Sequence, residues 1–325
     1  MTALAPGRTD ARTRVVVSVP GGIGNLGPGL DVLGCAVAGL RDEVTAEWCD
    51  RPGVSLLEPG HPELPTEPTR HTSAIAASAV FDVARRRGAR LPAAGIALSV
   101  RKALPLSGGQ GGSAASAVAG AVAADALCGS ILDQTALLLC CLRAEEAVAG
   151  RHLDNIAPSL LGGIVLVRSA DPVDVVRLPT PDGLRIVLAH PAQRLRTSDA
   201  RGVLPATVPR SVVLHQMAQV AAIVAACYTN DLALLGRSID DRIAEPARAP
   251  LLPGFLAAKE SAMTAGALGA SISGAGPTAF ALVADDDDVA ERVATAMREA
   301  YARAGVESST RITHVDPNGA VVTTA

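Results

Sequence analysis

The chain predicts an α+β fold in two domains, and three observations carry that reading. Its 325 residues suffice for two domains with sizeable cores. β-Branched runs and helical runs are mixed along it without strict alternation, which argues for α+β layers. A proline and aspartate cluster, ADPVDVVRLPTPDG (170–183), separates the halves, so the domains are placed at 14–168 and 169–325.

Taken in order, the first half predicts strands at Arg14–Val19, Glu43–Glu47, Gly95–Val100 and Gly163–Val167, each a short apolar or β-branched run. Helices are predicted at Thr72–Arg86, Ser113–Leu127 and Asp133–Ala149, where apolar residues recur at helical spacing. The second half predicts strands at Arg185–Ala189, Ala270–Ser273, Thr278–Val283 and Arg311–Val315. Its helices are expected at Val208–Tyr228, Asp231–Ser238, Leu252–Ala265 and Val289–Ala304. No internal repeat is visible.

Composition narrows the function classes. Hydrophobic residues make up 49% of the chain but aromatics only 2%, so the core has to come from aliphatic packing and close helix approach. A net charge of −3 gives no electrostatic footprint for nucleic acid. The longest apolar stretches, Ala114–Leu127 and Ala136–Leu142, are too short or too interrupted to span a bilayer. The start, MTALAPGRTDARTR, has charge with no apolar run behind it and reads as a frayed tail, not a signal peptide. Six scattered cysteines suit reduced thiols in a cytoplasmic protein, with the Cys140 and Cys141 pair as core packing. The run Asp285–Asp288 reads as a solvated loop before the last helix.

The most informative segment is PLSGGQGGSAASAVAG (105–120), a glycine-crowded turn that runs into an alanine-rich helix. Glycines let several backbone N–H groups face one point, and the helix adds its unpaired donors and positive dipole end there. That is the outline of a phosphate cradle, although no G-K-[ST] ending makes it a Walker A loop. Its bland alternative is a tight turn before a helix of small residues.

Three further segments accompany it. VVVSVPGGIGNLGPGLDVLGCAV opens the chain as a strand running into a glycine and proline loop with Asn25 and Asp31; EEAVAGRHLDNIAPSLLGG lies in the middle; SISGAGPTAFAL lies late. In this order the segments resemble the small-molecule kinases of the galactokinase, homoserine kinase, mevalonate kinase and phosphomevalonate kinase (GHMP) superfamily. RTSDARGVLP (Arg196–Pro205), IAEPARAPLLPGF (Ile243–Phe255) and HVDPNGAVV near the end place the likeness nearest its homoserine kinases. The resemblance covers about Ser18 to Val322. It implies a two-domain GHMP-kinase fold, the second domain ferredoxin-like, with the active site between the domains.

It also implies ATP and Mg2+ as cofactors, a small amino acid as substrate and a step of threonine biosynthesis, with no nucleic-acid or membrane partner. A homodimer is left open. On the nucleotide side, Pro105, Ser107, Gly108, Gly109, Gln110, Gly111, Gly112 and Ser113 would cradle the triphosphate. Ser113 is either an N-cap or a magnesium ligand, and Glu145 is the carboxylate candidate for the metal, with Glu146 as its alternative. On the substrate side, Arg201 and Arg248 match a carboxylate clamp; Asn25 and Asp31 lie in the substrate-binding glycine loop, where Asp31 would answer the ammonium group or instead cap a turn or helix. His152, Asp154 and Asn155 fall where the family approaches the substrate hydroxyl, and Thr197 lies in the segment that closes over it.

Two departures touch the nucleotide side. GQGGSA stands where the family ordinarily has G-L-G-S-S-A, and Thr72 stands where it tends to carry an adenine-contacting asparagine. Three functions therefore stay open: a kinase of homoserine, a kinase of a related hydroxy-amino acid, or a homologue that keeps the amino-acid pocket without kinase activity.

Overall fold

The computed structural model of the chain describes residues 13–148 and 150–323. Residues 1–12, most of the segment read as a frayed tail, lie outside the described residues, as does Ala149.

The first domain is built on a seven-stranded sheet. It comprises β1 (Arg14–Gly24), β2 (Leu33–Cys49), β3 (Gly53–Glu58), β4 (Gly95–Arg101), β5 (Ile164–Ala170), β6 (Val173–Leu178) and β11 (Val321–Thr323). The main path runs β11-β1-β2-β4-β3, with β5 on the early part of β2 and β6 outside β5. Helices α1 (Thr72–Arg86), α2 (Gly112–Leu127), α3 (Gln134–Glu146) and α4 (Ile156–Leu161) join this sheet in one core of Val, Leu, Ile and Ala. The alanine content of α2 lets it run almost wholly buried: a Cβ on Gly120 would sit 2.2 Å from the Ser73 carbonyl oxygen of α1. Cys140 and Cys141 are buried in this core, as expected.

The second domain holds β7 (Leu184–Pro191), α5 (Thr197–Gly202), α6 (Arg210–Thr229), α7 (Leu232–Arg237), α8 (Ala244–Arg248), α9 (Phe255–Thr264), β8 (Gly269–Ile272), β9 (Ala279–Ala284), α10 (Asp287–Arg303) and β10 (Ser308–His314). Its four strands are antiparallel in the order β10-β7-β9-β8. Numbered within the domain that order is 4-1-3-2, the ferredoxin-like arrangement the resemblance implied.

Four sequence readings are revised. First, β1 does not stop at Val19. It continues through PGGIG to Gly24, with a register shift at Pro20/Gly21 that accommodates the proline's missing N–H. Second, the separating cluster 170–183 contains β6, which pairs with β5 in the first sheet; its alternating valines form an edge strand despite the flanking prolines. Third, the acidic run is no simple loop. Asp286 caps α10, accepting from the Val289 N–H at 3.0 Å, and Arg185 pairs with Asp285 and Asp287. Fourth, among the described residues α6 is long and apolar enough by length and composition to cross a membrane. Polar residues, His215, Gln216 and Gln219 among them, interrupt its apolar run. Ile223, Ala226 and Cys227 of this helix are buried in a core cluster drawn from both sheets.

Candidate active site

A cavity of about 400 Å³ opens between the two domains. Pro105, Ser107, Gly108, Gly109, Gly111, Gly112 and Ser113 form one wall; Glu145, His152, Asp154 and Asn155 a second; Thr197, Arg201, Arg248 and Gly274 a third. The predicted nucleotide and substrate segments thus face one space, and Asn25 meets Gly274, 249 positions away, on its wall.

The glycine wall is shaped from behind. The Gly108 carbonyl accepts from the Thr278 hydroxyl at 2.6 Å, the Gly109 carbonyl from the Ser273 hydroxyl at 2.6 Å, and the Gln110 carbonyl from the Gly22 N–H at 3.0 Å. Across each planar trans peptide the next N–H points the opposite way, so those of Gly109, Gln110 and Gly111 turn forward. Gly109 and Gly111 hold left-handed backbone, at φ 71° and 67°, which favours glycine at both. The first turn of α2 starts directly after Gly111, its N-cap. Ser113 is therefore not the cap; it lies one residue inside the helix, exposed on the cavity wall.

Lys102, which motif reading passed over, also reaches this wall. Its ammonium donates to the Gly112 carbonyl and the Ser116 hydroxyl, both at 2.9 Å, and forms a buried ion pair with Asp42. No motif marks it, because β4 brings it there from outside the loop.

The two metal candidates part company. Glu146 turns outward and pairs with Arg151 at 2.5 Å. Glu145 is buried, with Oε2 making no hydrogen bond, and burial, reinforced by nearby Asp154, lifts its carboxyl to about 7. A buried carboxylate oxygen without a partner, lining the same cavity as Ser113, fits a cation. No group of three or more His, Cys, Asp or Glu suited to a metal occurs among the described residues. Magnesium commonly takes one or two protein ligands and completes its shell with phosphate and water, the complement that Glu145 and Ser113 would offer.

The substrate side is a connected polar cluster. Asp154 is buried and accepts at Oδ2 from the Asn25 N–H at 3.2 Å and the Asn155 side-chain amide at 3.1 Å. Burial above all, and then Asp31, raises its carboxyl to about 7. Glycine allows this closeness: a Cβ on Gly24 would lie 2.6 Å from Asp154 Oδ2 and one on Gly34 would lie 1.6 Å from its carbonyl oxygen. His152 Nδ1 lies 3.2 Å from Asp31 Oδ1, and burial lowers its pKa despite that carboxylate. Arg201 forks onto Asp31, with Nη2 to Oδ1 at 2.8 Å and Nη1 to Oδ2 at 3.3 Å.

Asp31 and Asn25 stand differently from expectation. Asp31 lies behind His152 and Arg201, bound to both, and is not a wall residue. Asn25 lines the cavity, but its side chain serves the fold: Nδ2 donates to the Gly274 carbonyl at 3.1 Å and Oδ1 accepts from the Asp31 N–H at 3.2 Å. Arg248 is buried; its Nε donates to the Ala200 carbonyl at 3.1 Å and its Nη1 to the Gly274 carbonyl at 2.9 Å. Burial, and next the neighbouring Arg201 charge, lower its pKa; both arginines line the same cavity. Thr197 is exposed on the rim at the start of α5.

Gln110 departs most from its assignment. Among the loop's residues it alone has a long side chain, and that chain is buried and turned away from the cavity. Glu63 and Arg194, not anticipated, form a two-pronged ion pair at 2.5 and 2.9 Å where the loop after β3 meets the loop after β7.

Comparison with known proteins gives a consistent picture. Residues 74–163 match the GHMP kinases N terminal domain, and residues 223–303 match the GHMP kinases C terminal family. The chain is 39% identical over 286 residues to the homoserine kinase of Chlorobium phaeovibrioides, covering 86% of this chain and 89% of that one. To the homoserine kinase of Arabidopsis thaliana it is 39% identical over 310 residues, covering 93% of this chain and 82% of that one. The crystal structure of homoserine kinase from Cytophaga hutchinsonii superposes with a TM-score of 0.89 at 36% identity, over 99% of this chain and all of that one.

Proposed function

The chain belongs to the homoserine kinases of the GHMP superfamily, and from that premise we propose how its cavity carries out ATP-dependent phosphorylation of the L-homoserine hydroxyl to give O-phospho-L-homoserine. The observation that carries the reading is the meeting of an anion cradle and a zwitterion site in one cavity of about 400 Å³.

The nucleotide's phosphates lie against the forward-facing N–H groups of Gly109, Gln110 and Gly111 and the start of α2. Replacing the family's leucine and first serine by Gln110 and Gly112 leaves this backbone cradle in place. Glu145, with Ser113 beside the phosphates, would hold magnesium, which when bound would neutralise phosphate charge.

Homoserine brings a carboxylate, an ammonium and a hydroxyl. Arg201 and Arg248 take the carboxylate, and Asp31, released from its fork with Arg201, takes the ammonium with Asn25 bracing the loop. The substrate zwitterion thereby exchanges one internal ion pair for two external ones. Asp154 stands nearest the reacting end, and Asn155 fixes its Oδ2. With a carboxyl near 7, Asp154 is poised to orient the hydroxyl or take its proton as the phosphoryl group arrives. His152, whose pKa burial lowers, stands with Nδ1 3.2 Å from Asp31 Oδ1 and positions that carboxylate. Thr197 on α5 closes the amino-acid end of the cavity.

Incubation with MgATP and, separately, homoserine, serine, threonine or buffer, read by mass spectrometry, tests the assignment. Phosphorylated homoserine in clear excess over the other products is expected. Preferential phosphorylation of another hydroxy-amino acid, or no ATP-dependent product at all, would overturn it.

A further inference from the structure

We propose that Gln110 and Arg311 act as a positioning pair that aims the phosphate loop, so that the second domain governs nucleotide affinity from behind the cradle. The inference rests on the reading of residues 108–112 as the triphosphate site. It concerns two side chains that never face that site.

A loop of four glycines and one glutamine has little conformational preference of its own. Its shape must be imposed, and its carbonyls are held by Thr278, Ser273 and Gly22. Gln110 adds the loop's one side-chain tether. Its Oε1 accepts from Arg311 Nη2 at 3.3 Å and its Nε2 donates to the Thr278 hydroxyl at 3.3 Å. The orientation is dictated, because Arg311 has only donors to offer. Thr278 gives its own proton to the Gly108 carbonyl and therefore accepts from both Gln110 and His190 Nδ1, the latter at 2.9 Å.

Arg311 joins three parts of the molecule. It stands on β10 of the second sheet, donates through Nη1 to the Ala38 carbonyl of β2 at 2.5 Å, and reaches the loop through Gln110. Gly39 makes room for it, since a Cβ there would lie 2.3 Å from Nη1. Burial lowers its pKa, and it forms no ion pair among the described residues. A half-buried guanidinium that is hydrogen-bonded but has no counter-charge keeps part of its desolvation cost. Here its charge and its geometry both favour a polyanion on the far side of the loop.

Gln110→Leu, Arg311→Met and their double variant separate this role from simple domain cement. Binding of the non-hydrolysable imido analogue of ATP with magnesium is measured by calorimetry, beside homoserine KM and Tm. Each single change should weaken nucleotide binding about five- to twentyfold, in keeping with one or two lost hydrogen bonds. Homoserine KM should stay within about twofold, and the double variant should bind no worse than the weaker single, because residues acting as one unit are not additive. Gln110→Glu, which keeps the bulk and the Arg311 contact but cannot donate to Thr278, should also lose nucleotide affinity and serves if the leucine variant misfolds.

Unchanged nucleotide affinity in folded variants would overturn the proposal. So would parallel losses at both substrates that track Tm. If the unmutated protein binds no nucleotide, the cradle reading fails with it; if it binds and the variants match it, only the positioning pair falls.

Discussion

Arg201, on the wall of the interdomain cavity, and Asp31 behind it hold each other in a two-pronged ion pair at 2.8 and 3.3 Å. The two side chains that would bind the opposite ends of a zwitterion neutralise one another until a substrate separates them. The arrangement keeps a half-buried cation and anion paired, and it rewards only a ligand that carries both charges, because a ligand with one would strand the other partner.

Loss of the clamp should therefore act on amino-acid binding first. Arg201→Ala and Arg248→Ala should each raise homoserine KM roughly ten- to a hundredfold, the worth of about 1.5–3 kcal/mol for a charged hydrogen bond, with nucleotide affinity nearly unchanged. Arg248→Ala should lower Tm as well, since Arg248 ties the Ala200 and Gly274 carbonyls together. Arg201→Lys should recover only part of the loss, because a point charge cannot reproduce the fork. The amino alcohol lacking the carboxylate should be a poor substrate of the unmutated enzyme; turnover equal to homoserine's would refute the clamp.

As a metal ligand, Glu145 would link metal binding to pH. Its folded carboxyl is raised to about 7, so its contribution to stability is present at low pH and is lost as pH rises through about 7. Without magnesium at pH 8, Glu145→Gln should thus melt at or above the unmutated protein's temperature, and magnesium with nucleotide should stabilise only the latter. In kinetics, kcat/KM should rise with pH through about 7, and the midpoint should move down as magnesium is increased, because proton and ion compete for one carboxylate. Glu146→Gln should change little, being paired outward with Arg151. Equal, small effects in both variants would remove Glu145 from the metal site.

Gly111→Val tests the cradle directly. The residue is at φ 67°, and its Cβ would meet Asn155 Oδ1 at 3.1 Å and the Gly22 nitrogen at 3.4 Å. Nucleotide binding should fall below detection in a protein whose far-ultraviolet circular dichroism is unchanged. Normal ATP affinity in that folded variant would show that the phosphates bind elsewhere.

Much of this was legible in the residues themselves. The glycine turn before an alanine helix at 105–120, the HLDN segment and the two arginine motifs are local patterns, and local chemistry announces them: glycines where backbone must face a ligand, alanine where a helix must lie close, arginine where a carboxylate must be forked. The helix Thr72–Arg86 was placed to the residue because its apolar period and its last-turn arginines agree. Tertiary structure alone decided what lies between distant segments. It extended β1 through Pro20–Gly24, because those glycines must pass between the phosphate loop and Asp154, which no local propensity reveals. It turned Glu145 inward and Glu146 outward, a choice a single helical step makes and only the surrounding walls determine. It brought Lys102 to the cradle, paired Asp31 with Arg201, and sent Gln110 backward to Arg311 of β10, 201 positions away. Residue type states what a side chain can bind; which partner it finds is set by the long-range packing that leaves one direction open and fills the rest.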